Sequence, residues 1–363
     1  MKAVLLDKIG SVTRNCRLPR EVRLATEIEC VEGSVVAVRV RSTKSTYNQL
    51  ELPSGRFSQL RPGDVVAGTL GHRKALFGYS GHLPEALRPG DPINLLNLGG
   101  VLGICDSANP DLGPPFECET LGQVLHFPYL AQRIGVPAHI RQGAIPLEER
   151  LEVGAVPVVA IVGTCMNAGK TAAACALIQA LTHLGYQVAA GKATGVSLRR
   201  DIHAMEDAGA RQTMIFTDLG IVTTTPQDAP RAARTLLTQL AADRPDVIVL
   251  ELGDGLLGLY GVDAILNDVP LRTSFGAVVM AANDPVAAWG GAQLLRERHQ
   301  LEPTVVTGPA TDNTAGTRLI AAETGVTGHN ARTDAAGLAA RVLTQLGLGA
   351  AGAPIGDARW TRG

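Results

Sequence analysis

The sequence predicts an α/β protein in which a parallel-sheet domain follows a smaller β-rich domain. Residues 1–150 contain short stretches of alternating apolar and polar residues between Gly, Pro and Asp, the pattern of half-buried strands. Beyond residue 150, continuous apolar runs alternate with helical segments. Apolar strands separated by helices indicate a parallel sheet that is covered on both faces.

Length and composition describe an ordinary globular chain and argue against one class of partner. The 363 residues suggest two domains, and 45% hydrophobic with 18% charged residues is enough for a sizeable core. With 33 basic and 34 acidic residues the chain has no basic excess, and only 4% of its residues are aromatic. We therefore expect no nucleic-acid partner, because neither phosphates nor bases find a matching surface.

The cysteines and the apolar runs predict a cytoplasmic protein with no membrane partner. The six cysteines form no Cys-x-x-Cys pair and have the spacing of neither a zinc site nor a disulfide framework, which indicates reduced thiols. The N-terminus reaches a charge after four apolar residues, and no run reaches about 18 apolar residues.

The β-rich domain, 1–150, shows its alternation most clearly at 35–41 and 64–69. The string Leu-Arg-Pro-Gly-Asp occurs at 60–64 and again at 87–91, each time before an apolar run. Pro-Gly-Asp suits a turn, so the copies mark two similar hairpins of a small barrel or a chance reuse of turn residues. We expect a substrate-binding or barrel-like module.

A glycine-rich stretch at 99–113 contains a cysteine and four polar residues between positions 105 and 111. It is either a long capped turn, in which Asp, Ser and Asn satisfy their own backbone, or a loop that contacts the substrate.

The second domain, 151–346, alternates strands with helices. The predicted strands lie at 157–162, 187–190, 213–216, 247–250, 277–280 and 304–306. The predicted helices lie at 170–184, 230–242, 285–300, 314–323 and 335–346. A Gly/Ala-rich tail, 347–363, is expected to be flexible.

A strand, a loop and an alanine-rich helix surround the string Gly-Thr-Cys-Met-Asn-Ala-Gly-Lys-Thr at 163–171. In this setting Gly-Lys-Thr has a mechanical meaning: the loop N–H groups and the helix N-terminus cradle phosphates, the lysine reaches the β/γ oxygens and the threonine hydroxyl coordinates Mg²⁺. The residues expected to hold the nucleotide are Thr164, Asn167, Ala168, Gly169, Lys170, Thr171 and Ala172.

Three strings in this domain resemble dethiobiotin synthetase and its relatives in the SIMIBI class of P-loop proteins. The first is the loop itself, in which five residues rather than four separate Gly163 from Gly169. The second, Gly-Lys-Ala-Thr-Gly at 191–195, is similar to the lysine-bearing segment with which that family meets its substrate. The third, Val-Ile-Val-Leu-Glu-Leu-Gly-Asp-Gly at 247–255, looks like the family's strand whose glutamate helps hold the metal.

The resemblance covers roughly 155–330 and implies the fold, the nucleotide site and a homodimer. It also has departures. Cys165 replaces the acidic residue usual in the synthetase loop, the Lys192 segment is one residue shorter, and 1–150 has no counterpart. Cys165 also occupies the position of a lysine that many SIMIBI ATPases place five residues before the loop lysine, which disfavours a partner-sensing switch.

Carboxylates near the ends of predicted strands are candidates for the metal. Glu251 ends an apolar strand, where ligands bind in open α/β sheets, and is either a Mg²⁺ ligand with a catalytic role or a simple cap. Asp201 and Asp207 lie six residues apart and do not share one helical face, so at most one of them faces the metal. The resemblance, through the family's placement after the second strand, favours Asp207, and a solvated helix explains these residues equally well. Asp218 and Asp254 are further candidates, and Asp254 is either a metal ligand or a residue that shapes its turn.

Cations and an amide complete the predicted site. Lys192, Arg199 and Arg200 form a short basic cluster that neutralises an acidic acceptor or is a solvated turn. Asn283, before Asp284 and Pro285, reads a nucleobase edge or caps the next helix. The histidines do not cluster into a metal-site pattern.

The fold class is therefore α/β, with a parallel-sheet P-loop NTPase domain preceded by a small β-rich domain. The favoured function is an enzyme that uses ATP and Mg²⁺ to phosphorylate or ligate a small acidic metabolite. The alternative is a nucleotide-hydrolysing switch, metallochaperone or assembly factor that acts on a protein partner. The predicted catalytic residues are Lys170, Lys192, Arg199 and Glu251, and the predicted metal ligands are Thr171, Asp207 and Glu251.

Overall fold

The structure, a computed structural model, describes residues 1–129 and 134–349, which form two compact units. The first unit comprises Met1–Leu147, Gly195–Arg200 and Ile215–Thr225; the second comprises Glu148–Thr194, Asp201–Met214 and the described chain from Pro226. Two segments of the first unit thus come from the range that the sequence assigned to the second domain. The tail predicted to be flexible lies outside the described residues from position 350 onwards.

Short strands dominate the first unit. They are β1 (Lys2–Leu5), β2 (Lys8–Ile9), β3 (Glu21–Ala25), β4 (Val35–Val40), β5 (Gln49–Glu51), β6 (Phe57–Gln59), β7 (Val65–Leu70), β8 (Arg73–Lys74), β9 (Tyr79–His82), β10 (Pro92–Leu95), β11 (Val101–Ala108), β12 (Phe116–Tyr129) and β13 (Ile134–Pro137). Short 3-10 helices cover Ser11–Cys16 and Phe216–Leu219.

Five of these strands close into a barrel. β4 pairs with β12 and β7, β7 pairs with β11, β11 with β10, and β10 with β12, so the ring returns to its start. Only the β7–β11 pair of the ring is parallel. All five strands contribute to one buried apolar cluster, which includes Val38, Leu70, Leu102 and Phe116. Side chains of this size fill a barrel of few strands, so its interior is a packed core.

The two copies of Leu-Arg-Pro-Gly-Asp fold alike. In each copy the aspartate carboxylate, of Asp64 or Asp91, accepts a hydrogen bond of 2.7 Å from the backbone N–H three residues earlier. Gly63 and Gly90 have φ angles of 94° and 99°, a region that favours glycine. The copies lead into β7 and β10, two strands of the barrel, so the repetition has a common structural role.

The stretch 99–113 is not one long loop, and that expectation was wrong. Most of it is β11, which pairs with strands on both sides. Its glycines serve close backbone packing: a Cβ on Gly103 would lie 2.7 Å from the carbonyl oxygen of His82. In the turn that follows β11, the Asn109 side chain accepts from the backbone N–H of Asp111 at 2.9 Å.

The second unit contains the predicted parallel sheet. Its strands are β14 (Val158–Gly163), β15 (Val188–Lys192), β16 (Gln212–Ile215), β17 (Val247–Glu251), β18 (Phe275–Ala281) and β19 (Val305–Thr307). They follow the order β16-β15-β17-β14-β18-β19, and the neighbours from β15 to β19 along this order are parallel. Strand β14 is buried throughout, as its continuous apolar sequence predicts.

Helices follow the strands of this sheet. They are α1 (Lys170–His183), α2 (Arg200–Asp207), α3 (Ala229–Ala241), α4 (Val262–Asn267), α5 (Val269–Ser274), α6 (Pro285–His299), α7 (Thr314–Thr324) and α8 (Ala335–Gln345). The two six-residue helices α4 and α5 were not predicted, because so short a segment shows no helical period. None of the helices in the described part of the chain is long and apolar enough to cross a membrane.

One apolar cluster packs α1 against the sheet. Ala173, Leu177 and Leu181 of α1 are fully buried against the strands and against Leu338 of α8. The small side chains of the alanine-rich first turns let α1 lie close to the sheet. The position at which α1 begins is thereby fixed relative to the end of β14.

Candidate nucleotide-binding site

The loop between β14 and α1 is built around two glycines. Gly169, just before α1, has a φ of 95°, which a side chain would strain. A Cβ on Gly163 would lie 2.8 Å from the Lys170 side chain, so this glycine leaves room for the lysine. No side chain caps the start of α1, so the first N–H groups of this helix are available to an anion.

Lys170 lies inside this loop and is only 3% exposed. Its ammonium donates hydrogen bonds to the carbonyl oxygens of Cys165 at 2.7 Å and Met166 at 3.3 Å. Burial lowers the pKa of Lys170, while the carboxylate of Glu251 opposes the shift and the charge of Lys192 adds to it. The ammonium is held here by neutral carbonyls. It would donate stronger, charge-assisted hydrogen bonds to phosphate oxygens.

The other residues predicted to hold a nucleotide follow the same loop. Thr164 has a buried hydroxyl that forms no hydrogen bond within the described chain. Asn167 is exposed and Ala168 is buried, whereas Thr171 and Ala172, in the first turn of α1, are partly and fully exposed. Their roles stay predictions, but their placement is compatible with the cradle.

Glu251 and Lys192 meet because their strands are in register. Glu251 ends β17 and Lys192 ends β15, and the two residues are direct partners across the parallel pair. The Lys192 Nζ lies 3.2 Å from Glu251 Oε1 and also forms an ion pair with Asp201. Burial alone would lower the pKa of Lys192, but these two carboxylates outweigh it and the pKa is raised.

The structure brings Asp201 to this cluster, not Asp207. Asp201 is in the first turn of α2 and is buried, while Asp207 is exposed at the last residue of the same helix. The resemblance favoured Asp207 from the family's placement after the second strand, but in this chain Asp201 is in the first turn of α2 and Asp207 is its last residue. Asp207 is therefore not among the residues that contact Lys192.

Two buried carboxylate oxygens near the loop have no hydrogen-bond partner in the described chain. They are Oε2 of Glu251, a residue 1% exposed, and Oδ1 of Asp254, a residue 6% exposed. An uncompensated buried carboxylate oxygen is costly unless a ligand satisfies it. Hard oxygen donors are the ligands that Mg²⁺ takes, so Glu251 fits the predicted metal.

Asn283 does not cap α6, which was one of the two roles that the sequence left open. Asp284 caps α6, because its carboxylate accepts from the N–H of Ala287 at 2.8 Å. Asn283 is exposed and donates to the sulfur of Cys165 at 3.0 Å. Its amide therefore lies beside the phosphate loop. Gly308 follows β19 on the same side, with its Cα 3.6 Å from where a Cβ of Gly169 would be.

Arg199 contacts two acidic residues, and its predicted catalytic role stays a prediction. It belongs to the first unit, where its guanidinium pairs with Asp218 at 2.5 Å and its backbone N–H donates to the carboxylate of Glu51 at 2.7 Å. Asp218 in turn accepts from the N–H of Ile215, so it shapes the 3-10 turn there. Sequence reasoning missed the fully buried Glu51, since its partners are distant along the chain.

Among the described residues, neither the histidines nor the cysteines form a metal centre. His82 pairs with Asp106 at 2.7 Å, and burial, reinforced by neighbouring charges, lowers the pKa of His72. Within 1–129 and 134–349, no group of three or more His, Cys, Asp or Glu side chains could hold a metal ion. All six cysteines are free thiols.

Comparison with known proteins shows a distant likeness to solved structures. No protein-family model and no curated protein matches the chain. The 54 kDa signal recognition particle protein of Aeropyrum pernix K1, in complex with GDP, is 20% identical over 53% of this chain and 47% of that chain, with a TM-score of 0.36. The signal recognition particle receptor FtsY of Elizabethkingia anophelis is 14% identical over 47% and 56%, with a TM-score of 0.34.

A DUF1611 family protein of Anabaena variabilis is 15% identical over 57% of this chain and 64% of that chain, with a TM-score of 0.38. This chain thus spans between about half and just under two thirds of the three structures. Likenesses at this level carry no functional conclusion. The resemblance to dethiobiotin synthetase stays a prediction.

Proposed function

We propose that the protein is an enzyme that uses ATP and Mg²⁺ to phosphorylate or ligate a small acidic metabolite. One observation carries the nucleotide use: Lys170 lies buried in a glycine-flanked loop at the start of α1, with its ammonium on loop carbonyls. Lys170 and the loop N–H groups would hold the phosphates, and Thr171 with Glu251 would hold the metal. Bound Mg²⁺ would neutralise charge on the β- and γ-phosphates.

The acidic acceptor follows from the charge around Lys192. In this structure the ammonium has two carboxylate partners, Asp201 and Glu251. If Glu251 turns to the metal, Lys192 keeps one carboxylate and gains the capacity to bind an anion. A carboxylate or phosphate acceptor placed there would be held by a nearly buried cation, where the interaction is stronger than in water.

Adenine is favoured over guanine by the residues after β18. The Asn283 side chain offers both a donor and an acceptor, which matches the adenine edge. Guanine presents two N–H donors on one edge and is best met by a free carboxylate. The carboxylate at this position, of Asp284, already caps α6. We therefore retain ATP as the proposed nucleotide.

The competing function is a switch that hydrolyses a nucleotide to act on a protein partner. A version that delivers a metal lacks support, since the described residues contain no cluster of three or more His, Cys, Asp or Glu side chains that could hold a metal cargo. The homodimer is proposed from the resemblance to dethiobiotin synthetase, and sedimentation of the purified protein would measure it.

The deciding experiment measures ATP turnover with Mg²⁺, first alone and then with a panel of small carboxylates, amines and CO₂. Strong stimulation by one compound is expected for the enzyme. Slow ATP hydrolysis whose rate is changed by none of the metabolites would favour the switch and contradict the proposal. The Lys170→Ala variant, prepared in the same way, measures contaminating ATPase activity. Repeating the assay with GTP in place of ATP tests whether the site prefers adenine.

A further inference from the structure

The turn after β17 contains a residue in a strained conformation. Asp254 has a φ of 83°, a region in which residues other than glycine are uncommon and cost energy. Glycines stand on both sides of it, at 253 and 255. The chain places an aspartate where a third glycine would be easier, so the carboxylate has a use that offsets the strain.

The surroundings of Asp254 fix its carboxylate firmly. Its Oδ2 accepts a hydrogen bond of 2.9 Å from the N–H of Leu259, and the N–H groups of Gly255 and Tyr260 also reach the carboxylate. A Cβ on Gly258 would collide with the same group. The side chain is therefore held in one orientation by backbone donors and by a glycine that leaves it space.

This turn packs directly on the phosphate loop. The N–H of Leu256 donates to the carbonyl of Gly163 at 2.9 Å. A Cβ on Gly255 would lie 2.8 Å from the carbonyl oxygen of Thr164, so only glycine permits the approach. Asp254 and Lys170 are close enough for each charge to shift the pKa of the other.

One oxygen of Asp254 is left over. Oδ2 takes the bond from Leu259, whereas Oδ1 is buried and has no partner in the described chain. A buried carboxylate oxygen without a donor costs stability. Beside the proposed phosphate site, this oxygen is available to accept a hydrogen bond from a bound reactant.

We propose that Asp254 is the catalytic base of the phosphoryl transfer, with Oδ1 accepting the proton of the attacking group. This rests on the proposed function. The acceptor oxygen forms a bond to the γ-phosphorus, the bond from that phosphorus to the bridging oxygen breaks, and ADP leaves. The proton of the acceptor passes to Oδ1 and later to solvent.

The charges around Asp254 agree with a proton-accepting role. Burial raises the pKa of Asp254, while its backbone hydrogen bonds and the ammonium of Lys170 oppose the shift without cancelling it. Lys170 itself faces Glu251 and Lys192. A base with a pKa nearer to neutral than an ordinary aspartate takes up a proton more readily and still returns it to water.

The test compares wild type with Asp254→Asn, using Mg·ATP with water as the acceptor. Single-turnover hydrolysis is followed from about pH 5.5 to 9, and Mg·ATP affinity and the half-saturating Mg²⁺ concentration are measured by calorimetry. We expect hydrolysis to fall roughly 100-fold or more, the acidic limb of the wild-type profile to disappear, and both affinities to stay within about threefold. Asp243→Asn, at an exposed position of the same unit, is the matched control.

Each other outcome overturns a defined part of the account. A variant that hydrolyses ATP at the wild-type rate, or keeps the acidic limb, shows that Asp254 only shapes its turn. A large rise in half-saturating Mg²⁺ makes it a metal ligand instead. If the variant does not fold, a wild-type profile without an acidic limb refutes the proposal. Failure of the proposed function looks different, because wild type would then not bind Mg·ATP.

Discussion

Replacing Lys192 with methionine removes the one cation that lies between two nearly buried carboxylates. The side chains of Lys192, Asp201 and Glu251 are 13%, 11% and 2% exposed, so solvent screens their interaction little. Removing one partner of a buried ion pair costs about 3–5 kcal/mol. For a unit of 150–250 residues, about 2–4 °C of melting temperature corresponds to 1 kcal/mol, so we expect Lys192→Met to melt roughly 6–20 °C lower at pH 8.

The pH dependence makes this prediction specific. Because the pKa of Lys192 is raised in the folded protein, its stabilisation is complete below the ordinary lysine pKa of about 10.4 and is lost only as the pH rises through the higher folded value. In the variant the two carboxylates lose the ammonium that they share, and a lower pH reduces the repulsion between them. The deficit in melting temperature should therefore shrink from pH 8 to pH 5.

Differential scanning calorimetry at the two pH values, following the transition of the second unit, provides the measurement. Arg318→Met, which removes an exposed cation from α7, is the control and should melt within about 1–2 °C of wild type. A deficit below about 3 °C, or one that is the same at both pH values, would refute the assignment of Lys192 as a buried bridge.

Two further variants test the metal and a buried histidine. Glu251→Gln should raise the Mg²⁺ concentration that half-saturates ATP binding by roughly tenfold or more, because a charged oxygen ligand is lost; an unchanged Mg²⁺ titration contradicts its role. His299 is 1% exposed and bonded to Asn267, and burial, aided by neighbouring arginines, lowers its pKa. Since the unfolded chain then binds the proton more readily, stability falls as the pH drops below about 6.5. His299→Gln should flatten the loss of melting temperature between pH 7 and 5, and parallel curves would contradict this.

Local patterns were enough to predict the parallel sheet and the glycine-flanked loop that precedes α1. The continuous apolar run of β14, the two glycines and the alanine-rich α1 are each set by neighbours in sequence, and the structure confirms the parallel sheet that they indicated. Glu251 and Lys192 were predicted separately from strand ends. Their contact depends on the register of β15 against β17, which no local pattern encodes.

Several contacts that the sequence did not indicate involve partners far away in the chain. Arg199 reads as a free cation beside Lys192, but its own partners are Asp218 and Glu51 in the first unit. Closure of the barrel likewise depends on pairing β10 with both β11 and β12. Such pairings bring together residues that sequence spacing does not relate.

The central claim is that Lys170 lies in a nucleotide-binding loop, and calorimetric titration of Mg·ATP tests it most directly. Wild type should bind one nucleotide per chain, and Arg318→Met should bind it equally well. Lys170→Ala should weaken binding by roughly 10- to 150-fold, because a charge-assisted hydrogen bond contributes about 1.5–3 kcal/mol. Equal affinity in wild type and Lys170→Ala, or no binding by wild type, would contradict the account.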